Sequence, residues 1–153
     1  MELYLVQHAE AKAEEEDPDR PLTRRGREEA GAVASRLAGS GMRVDHIFHS
    51  PKLRAMQTAD IFNTHLKSHA TEAEGLKPMD EPKAALRLIE SASGRGESIM
   101  IVGHMPHLSK LASLLLSGRD SPPLISFRMA AVICMVKEES GWQVKWMLPP
   151  ELA

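Results

Sequence analysis

Three apolar runs of this chain end in a histidine: LYLVQHAE (residues 3–10), HIFHSPKLRA (46–55) and IMIVGHMPH (99–107). An imidazole at a strand end can act as nucleophile, proton carrier or metal ligand, although the ordinary fate of a single one is to be buried and hydrogen-bonded. Threefold repetition makes a site the better reading. Arg20, Arg24, Arg25 and Arg54 accompany these ends. Arg54 falls in the first turn of the helix after HIFHSP, where a cation opposes the macrodipole and calls for an anion. A phosphoryl group would satisfy histidines, arginine forks and a helix N-terminus together, and phosphorus is an electrophile that imidazole can attack. Arg24, Arg25 and Arg27 lie on an exposed helix and read better as surface charges, with Arg54 the exception.

Two competing chemistries are weaker. A metal could use His46 with His49, or His104 with His107, but His46 and His49 point to opposite faces of a strand and the neighbouring arginines repel a cation. A Cys–His hydrolase would need an activated thiol. The one cysteine, Cys134, sits among Ile133, Met135 and Val136, where it reads as a buried, inert residue that suits a reducing compartment.

Short strands alternating with amphipathic helices must position these groups. Strands are predicted at Leu3–Val6, Val44–Phe48 and Ile99–Val102, with a weaker one near Thr71–Ala73. Thr23 as N-cap and Gly39 as terminator frame a helix over 24–39. Ser50 as N-cap and Pro51 as first helical residue start a second helix, with Ala55, Ala59, Phe62 and Leu66 on one face. Pro82 starts a third, carrying Ala85, Leu88, Ile89 and Ala92, and Asp80 and Glu81 before it read as its cap. Pro106 opens a fourth, carrying Leu108, Leu111, Ala112 and Leu115. Residues 125–136 and 142–147 form a hairpin turning near Ser140-Gly141, with Trp142 and Trp146 on one face. Met56, Met100, Met129 and Met135 read as core fillers, His65 and His69 as surface residues, and His49 and His107 as neighbours of the site. The acidic run 14–17 reads as a solvated loop.

The expected fold is therefore α/β, a three-layer sandwich with a mostly parallel central sheet, helices on both faces and a C-terminal antiparallel hairpin. The 153 residues fit one domain over 1–153. A net charge of -2 offers no general attraction for nucleic acid or an anionic membrane. The first residues lack a signal-peptide pattern and no apolar run nears the roughly 20 residues of a membrane helix, so a cytoplasmic location is expected.

Four segments in order carry a family likeness: YLVQHAEA, DRPLTRRGREEA, HSPKLRAMQTA and VGHMP. With them the chain resembles the histidine phosphatase superfamily, which has the phosphoglycerate mutase-like fold, and within it the small SixA-type phosphohistidine phosphatases. The resemblance implies that His8 is a nucleophile that becomes phosphorylated, and that Arg54, His104 and Arg20 bind the transferred group with no cofactor or metal. It also implies a phosphohistidine-bearing signalling or phosphotransfer protein as substrate, and inorganic phosphate as product.

Two positions depart from the pattern. Gln7 stands where the family has arginine, so it can donate hydrogen bonds to the phosphoryl group without a charge, and Arg20 and Arg24 are the candidates to compensate. Ala9 replaces glycine, which matters only where φ is positive. Asp80 and Glu81 are possible general acids as well as helix caps. The segments 68–82 and 118–127 are short, which leaves the cleft wide and shallow. Three readings follow: a protein phosphohistidine phosphatase, a phosphatase of a small phosphate monoester, and a phosphate-binding module whose turnover fell with the loss of arginine at position 7.

Overall fold

A computed structural model describes residues 1–153. Its strands are β1 (Glu2–Gln7), β2 (His46–His49), β3 (Ala70–Glu72), β4 (Ile99–Gly103), β5 (Val132–Glu138) and β6 (Gly141–Leu148). The helices are α1 (Arg24–Gly39), α2 (Leu53–Leu66), α3 (Pro82–Gly94) and α4 (His107–Ser117), followed by a short 3-10 turn at Pro150–Leu152. All six strands form one sheet in the order β3-β2-β4-β1-β5-β6. The first four are mutually parallel, and β5 and β6 run antiparallel beyond β1.

The sequence patterns explain the layering. β1 and β4 are apolar on both faces and occupy the middle of the sheet, where every residue of β4 is buried. Tyr4, Val6, Met100 and Val102 face α1 and α2, packing on Val33, Leu37, Ala59 and Phe62. Leu3, Leu5, Ile99 and Ile101 face α3 and α4, packing on Ile89, Ala92, Leu108 and Leu111. The expected three-layer sandwich is the fold observed, and no helix is long and apolar enough to cross a membrane.

Helix α1 has the predicted bounds, because the Thr23 hydroxyl accepts the Gly26 N–H at 3.0 Å and caps it. Helix α2 starts later than predicted. Its cap position is Lys52, since the buried Ser50 hydroxyl is engaged by His104 and by the Lys52 amide. Pro82 does begin α3, but neither acidic residue caps it. Glu81 makes no capping hydrogen bond, and the Asp80 carboxylate instead accepts the Lys77 N–H at 2.9 Å. Pro106 takes the cap position of α4, one residue before the helix begins. β2 and β3 each lie within two residues of their predicted bounds.

The hairpin needs three corrections. β5 begins only at Val132, because Ala130 turns the chain with φ +65° while its N–H donates to the Gln7 carbonyl. Cys134 pairs with Trp146 and Met135 with Val144, so Lys145 is an extra residue, a β-bulge. That insertion reverses the alternation along β6. Trp146 therefore lies against Tyr4 on the α1/α2 face, with ring centroids 6.0 Å apart, and Trp142 packs on the opposite face. Cys134 is fully buried, and burial pushes its thiol up to about 11, as its apolar strand implied.

Met100 and Met135 fill the core as expected, whereas Met56 and Met129 are 38% and 42% exposed. His65 and His69 are exposed.

Candidate active site

The carboxyl ends of β1, β4 and β2 lie side by side in the sheet, so the residues that follow them meet. The His8 N–H donates to the Gly103 carbonyl at 3.0 Å, which locks the two strand ends together. The His8 and His104 rings stand 5.2 Å apart at a 55° tilt. Ser50, directly after β2, places its Oγ 2.5 Å from His104 Nε2.

The tautomer of His8 follows from its partner. Nδ1 lies 2.7 Å from the Ala9 carbonyl oxygen, which can only accept, so Nδ1 carries the proton and Nε2 keeps its lone pair. Burial lowers the His8 pKa to about 4; the cations Arg54 and Arg20 add to this, against the opposing effect of the Ala9 bond. Burial is also the main cause holding His104 down to about 3, with His8 and Arg54 contributing. Both imidazoles are neutral at pH 7. The Ser50 hydroxyl accepts the Lys52 N–H and is also hydrogen-bonded to His104 Nε2. His104 Nδ1 is buried without a partner.

Arg54 extends from the first turn of α2, and its Nε is also buried without a partner. Burial and the nearby charge of Arg20 lower its pKa. Arg20 arrives from the loop before α1 with φ +50°, and its Nε donates to the Lys12 carbonyl. A non-glycine residue there is uncommon and carries backbone strain. Arg54 and Arg20 both bear on the His8 charge, and Arg54 Nε and His104 Nδ1 are buried without protein partners, an arrangement that an anion would satisfy.

A scaffold of polar contacts sets this geometry. The Thr58 hydroxyl accepts the Ala9 N–H at 3.0 Å and donates to the Arg54 carbonyl at 2.7 Å, tying the loop after β1 to helix α2. Gln57 Oε1 accepts the Leu22 N–H, and the Glu10 carbonyl accepts the Thr23 N–H. Gly26 lets α1 press onto that loop: a Cβ there would lie 2.2 Å from the Glu10 oxygen. The sequence marks Gln57 and Thr58 only as part of the HSPKLRAMQTA likeness and gives them no role, and Ser50 only that of a helix cap. The signal that marks them is a polar residue on, or just before, the inward side of an amphipathic helix.

The remaining predicted residues fall as follows. Gln7 is half-buried, and strand alternation puts it with Leu3 and Leu5 on the α3/α4 side; its side chain makes no protein hydrogen bond. Arg24 does not compensate for it, because its side chain is 94% exposed and paired with Glu28. Ala9 is fully buried and lacks positive φ, so its methyl group introduces no strain. Asp80 and Glu81 make no hydrogen bond to His8, His104 or Arg54. They line an acidic groove of about 540 Å³ with Pro51, Glu72, Glu74 and Lys77. His49 and His107 are buried nearby, His49 Nδ1 lying 2.8 Å from the Ser50 carbonyl. His46 Nε2 lies 2.8 Å from the Thr71 hydroxyl and its ring stacks on Phe48, so it shares no partner with His49.

Comparison with known proteins agrees with this architecture. The family model described as histidine phosphatase superfamily (branch 1) matches residues 3–82. An uncharacterised protein of Picosynechococcus is 36% identical over 97% of this chain and 100% of its own length. The phosphohistidine phosphatase SixA of Escherichia coli is 26% identical, covering 98% of this chain and 94% of its own. The solved structure of the protein histidine phosphatase SixA complexed with tungstate superposes with a TM-score of 0.87. That match covers 98% of this chain and 97% of the other at 24% identity, and it shows the shared fold.

Proposed function

The chain belongs to the histidine phosphatase superfamily, and on that premise we propose that it hydrolyses phosphohistidine on a protein substrate through a phospho-His8 intermediate. The observation that carries the reading is the Nδ1 to Ala9 hydrogen bond, which leaves Nε2 of a neutral His8 unprotonated beside the unpartnered Arg54 Nε and His104 Nδ1.

In the first step Nε2 of His8 attacks phosphorus. A phosphorus–nitrogen bond forms to His8 as the one to the substrate imidazole breaks, and the departing nitrogen takes a proton from water. Arg54, Arg20 and His104 hold the charge on the equatorial oxygens, which is electrostatic work by prearranged donors. His8 keeps its Nδ1 proton on the Ala9 carbonyl throughout. Water then attacks the phosphoenzyme, the phosphorus–oxygen bond forms, the lone pair returns to Nε2, and inorganic phosphate leaves. A nitrogen leaving group needs no carboxylic acid from the protein. Asp80 and Glu81 would serve as general acids only for an oxygen leaving group, as in a small phosphate monoester. SixA is described as a phosphohistidine phosphatase, and the likeness to it favours the nitrogen substrate.

The test is phosphate release from a phosphohistidine-bearing protein by wild type, His8→Ala and Gln7→Arg. Release is expected to vanish in His8→Ala and to rise about tenfold or more in Gln7→Arg, which restores a charged donor at the strand end. Release that survives in His8→Ala would overturn the mechanism. Phosphate binding without a phosphoenzyme in either active-site background would favour a binding module.

A further inference from the structure

Resting on the phosphatase reading, we propose that Arg128 supplies the phosphate-binding charge missing at Gln7, and that Glu151 of the C-terminal turn competes with the substrate for it. Gln7 stands where the histidine phosphatase pattern has arginine, and its amide brings no charge. The chain returns to that strand end in the loop before β5. Met129 pairs with Gln7 in a parallel bridge, and the Ala130 N–H donates to the Gln7 carbonyl at 2.9 Å. Arg128 directly precedes Met129, so its Cα lies within about 9 Å of that of Gln7.

The contacts of Arg128 put it on the His8 side of the sheet. Its Nη1 donates to Glu151 Oε1, and the 3-10 turn that carries Glu151 packs against α1. Tyr4 and Val6 face α1 and α2, and His8 is the next residue of that alternating series. Register places the turn at the catalytic end as well, because Leu148, the last residue of β6, pairs with Val132, and Val132 pairs with Val6. Glu151 is the one side-chain partner of Arg128, and the pair is easily opened. Side chains 59% and 46% exposed keep it in high dielectric, where an ion pair is worth little. A phosphoryl dianion is the stronger competitor, since a guanidinium fork matches its oxygens with two charge-assisted hydrogen bonds.

The experiment measures KM on a phosphohistidine protein, and the Kd of inorganic phosphate, for Arg128→Gln, Arg128→Lys and Glu151→Gln. Arg128→Gln and Glu151→Gln break the same ion pair, so a purely structural role would move both constants in one direction. Competition moves them in opposite directions. Arg128→Gln should raise both constants about fivefold or more and Glu151→Gln lower both about twofold, with Arg128→Lys between wild type and Arg128→Gln and kcat changed less than KM. In a Gln7→Arg background, which restores a guanidinium at the strand end, each effect should shrink to within about 1.5-fold. Arg95→Gln is the control: it breaks a similarly exposed pair with Glu97, before the amino end of β4, and leaves both constants unchanged. Changes of one sign, no change in either variant, or effects undiminished in the Gln7→Arg background would overturn the competition. A wild type that binds phosphate with this pattern yet releases none from phosphohistidine would overturn the phosphatase reading and leave the competition standing, whereas release without the pattern would do the reverse.

Discussion

Replacing Gly26 by alanine tests the site through a residue that touches no substrate. The added Cβ would lie 2.2 Å from the Glu10 carbonyl oxygen and 2.9 Å from the Glu10 nitrogen, both backbone atoms that no rotamer change can move. Reaching even 3.0 Å, below which real Cβ atoms are essentially not found, requires α1 and the loop after β1 to part by about 0.8 Å. Overpacking of this kind costs about 1–3 kcal/mol, or a melting temperature lower by roughly 2–12 °C for a chain of this size. The same displacement reaches His8, two residues before Glu10, and a misplacement near 1 Å costs about 10²-fold in rate. Gly31 is the control, since it lies in the same helix and a methyl group there would meet nothing within 4 Å. Gly31→Ala should stabilise by about 0.5–1 kcal/mol and leave activity alone. Thermal unfolding and phosphate release measured on both variants decide the matter. If Gly26→Ala is as stable as Gly31→Ala, or retains wild-type turnover, then close backbone contact does not position the nucleophile.

Other consequences are equally open to measurement. Because His8 titrates at about 4, kcat/KM should stay level as pH falls from 7 to about 5 and drop only below that, whereas a midpoint near 6.5 would show an unperturbed nucleophile. Four histidines are depressed, His8 and His104 with His46 and His107 besides, and each leaves the unfolded chain binding protons that the folded one does not, so stability falls as pH drops from 6.5 toward about 4. The slope should approach about 1.4 kcal/mol per pH unit for each of His8 and His104, and denaturant unfolding across that range reads it. Ser50→Ala removes the hydrogen bond to His104 Nε2 and should lower kcat/KM roughly five- to tenfold, the worth of about one hydrogen bond, with unchanged turnover counting against the assigned role.

The fold was legible because its signals are local. Thr23 and Gly39 bracket α1, the apolar β1 and β4 announce strands covered on both faces, and three histidines mark the strand ends where parallel sheets place their sites. What escaped depends on partners distant in sequence. Ser50 looks like a helix cap until His104, 54 positions away, takes its hydroxyl. Arg24 and Arg20 look alike as compensating charges, but helical spacing pairs Arg24 with Glu28 while the strained turn holds Arg20 near His8. One added residue, Lys145, parts two tryptophans whose spacing alone puts them on the same face.

That bulge has a bearing on the company the protein keeps at high concentration. A sheet with open ends offers unpaired amides and carbonyls to any passing strand, and β3 and β6 are the two ends here. β3 is only three residues long, too short to template much pairing. β6 has eight residues, with Val144 and Met147 exposed, the makings of an adhesive edge. Lys145 interrupts its spacing midway and sets a charge there, held by Glu2. An incoming strand thus meets a break in register beside a lysine, and edge-to-edge growth into fibrils is opposed at the place where the molecule would otherwise be most open to it.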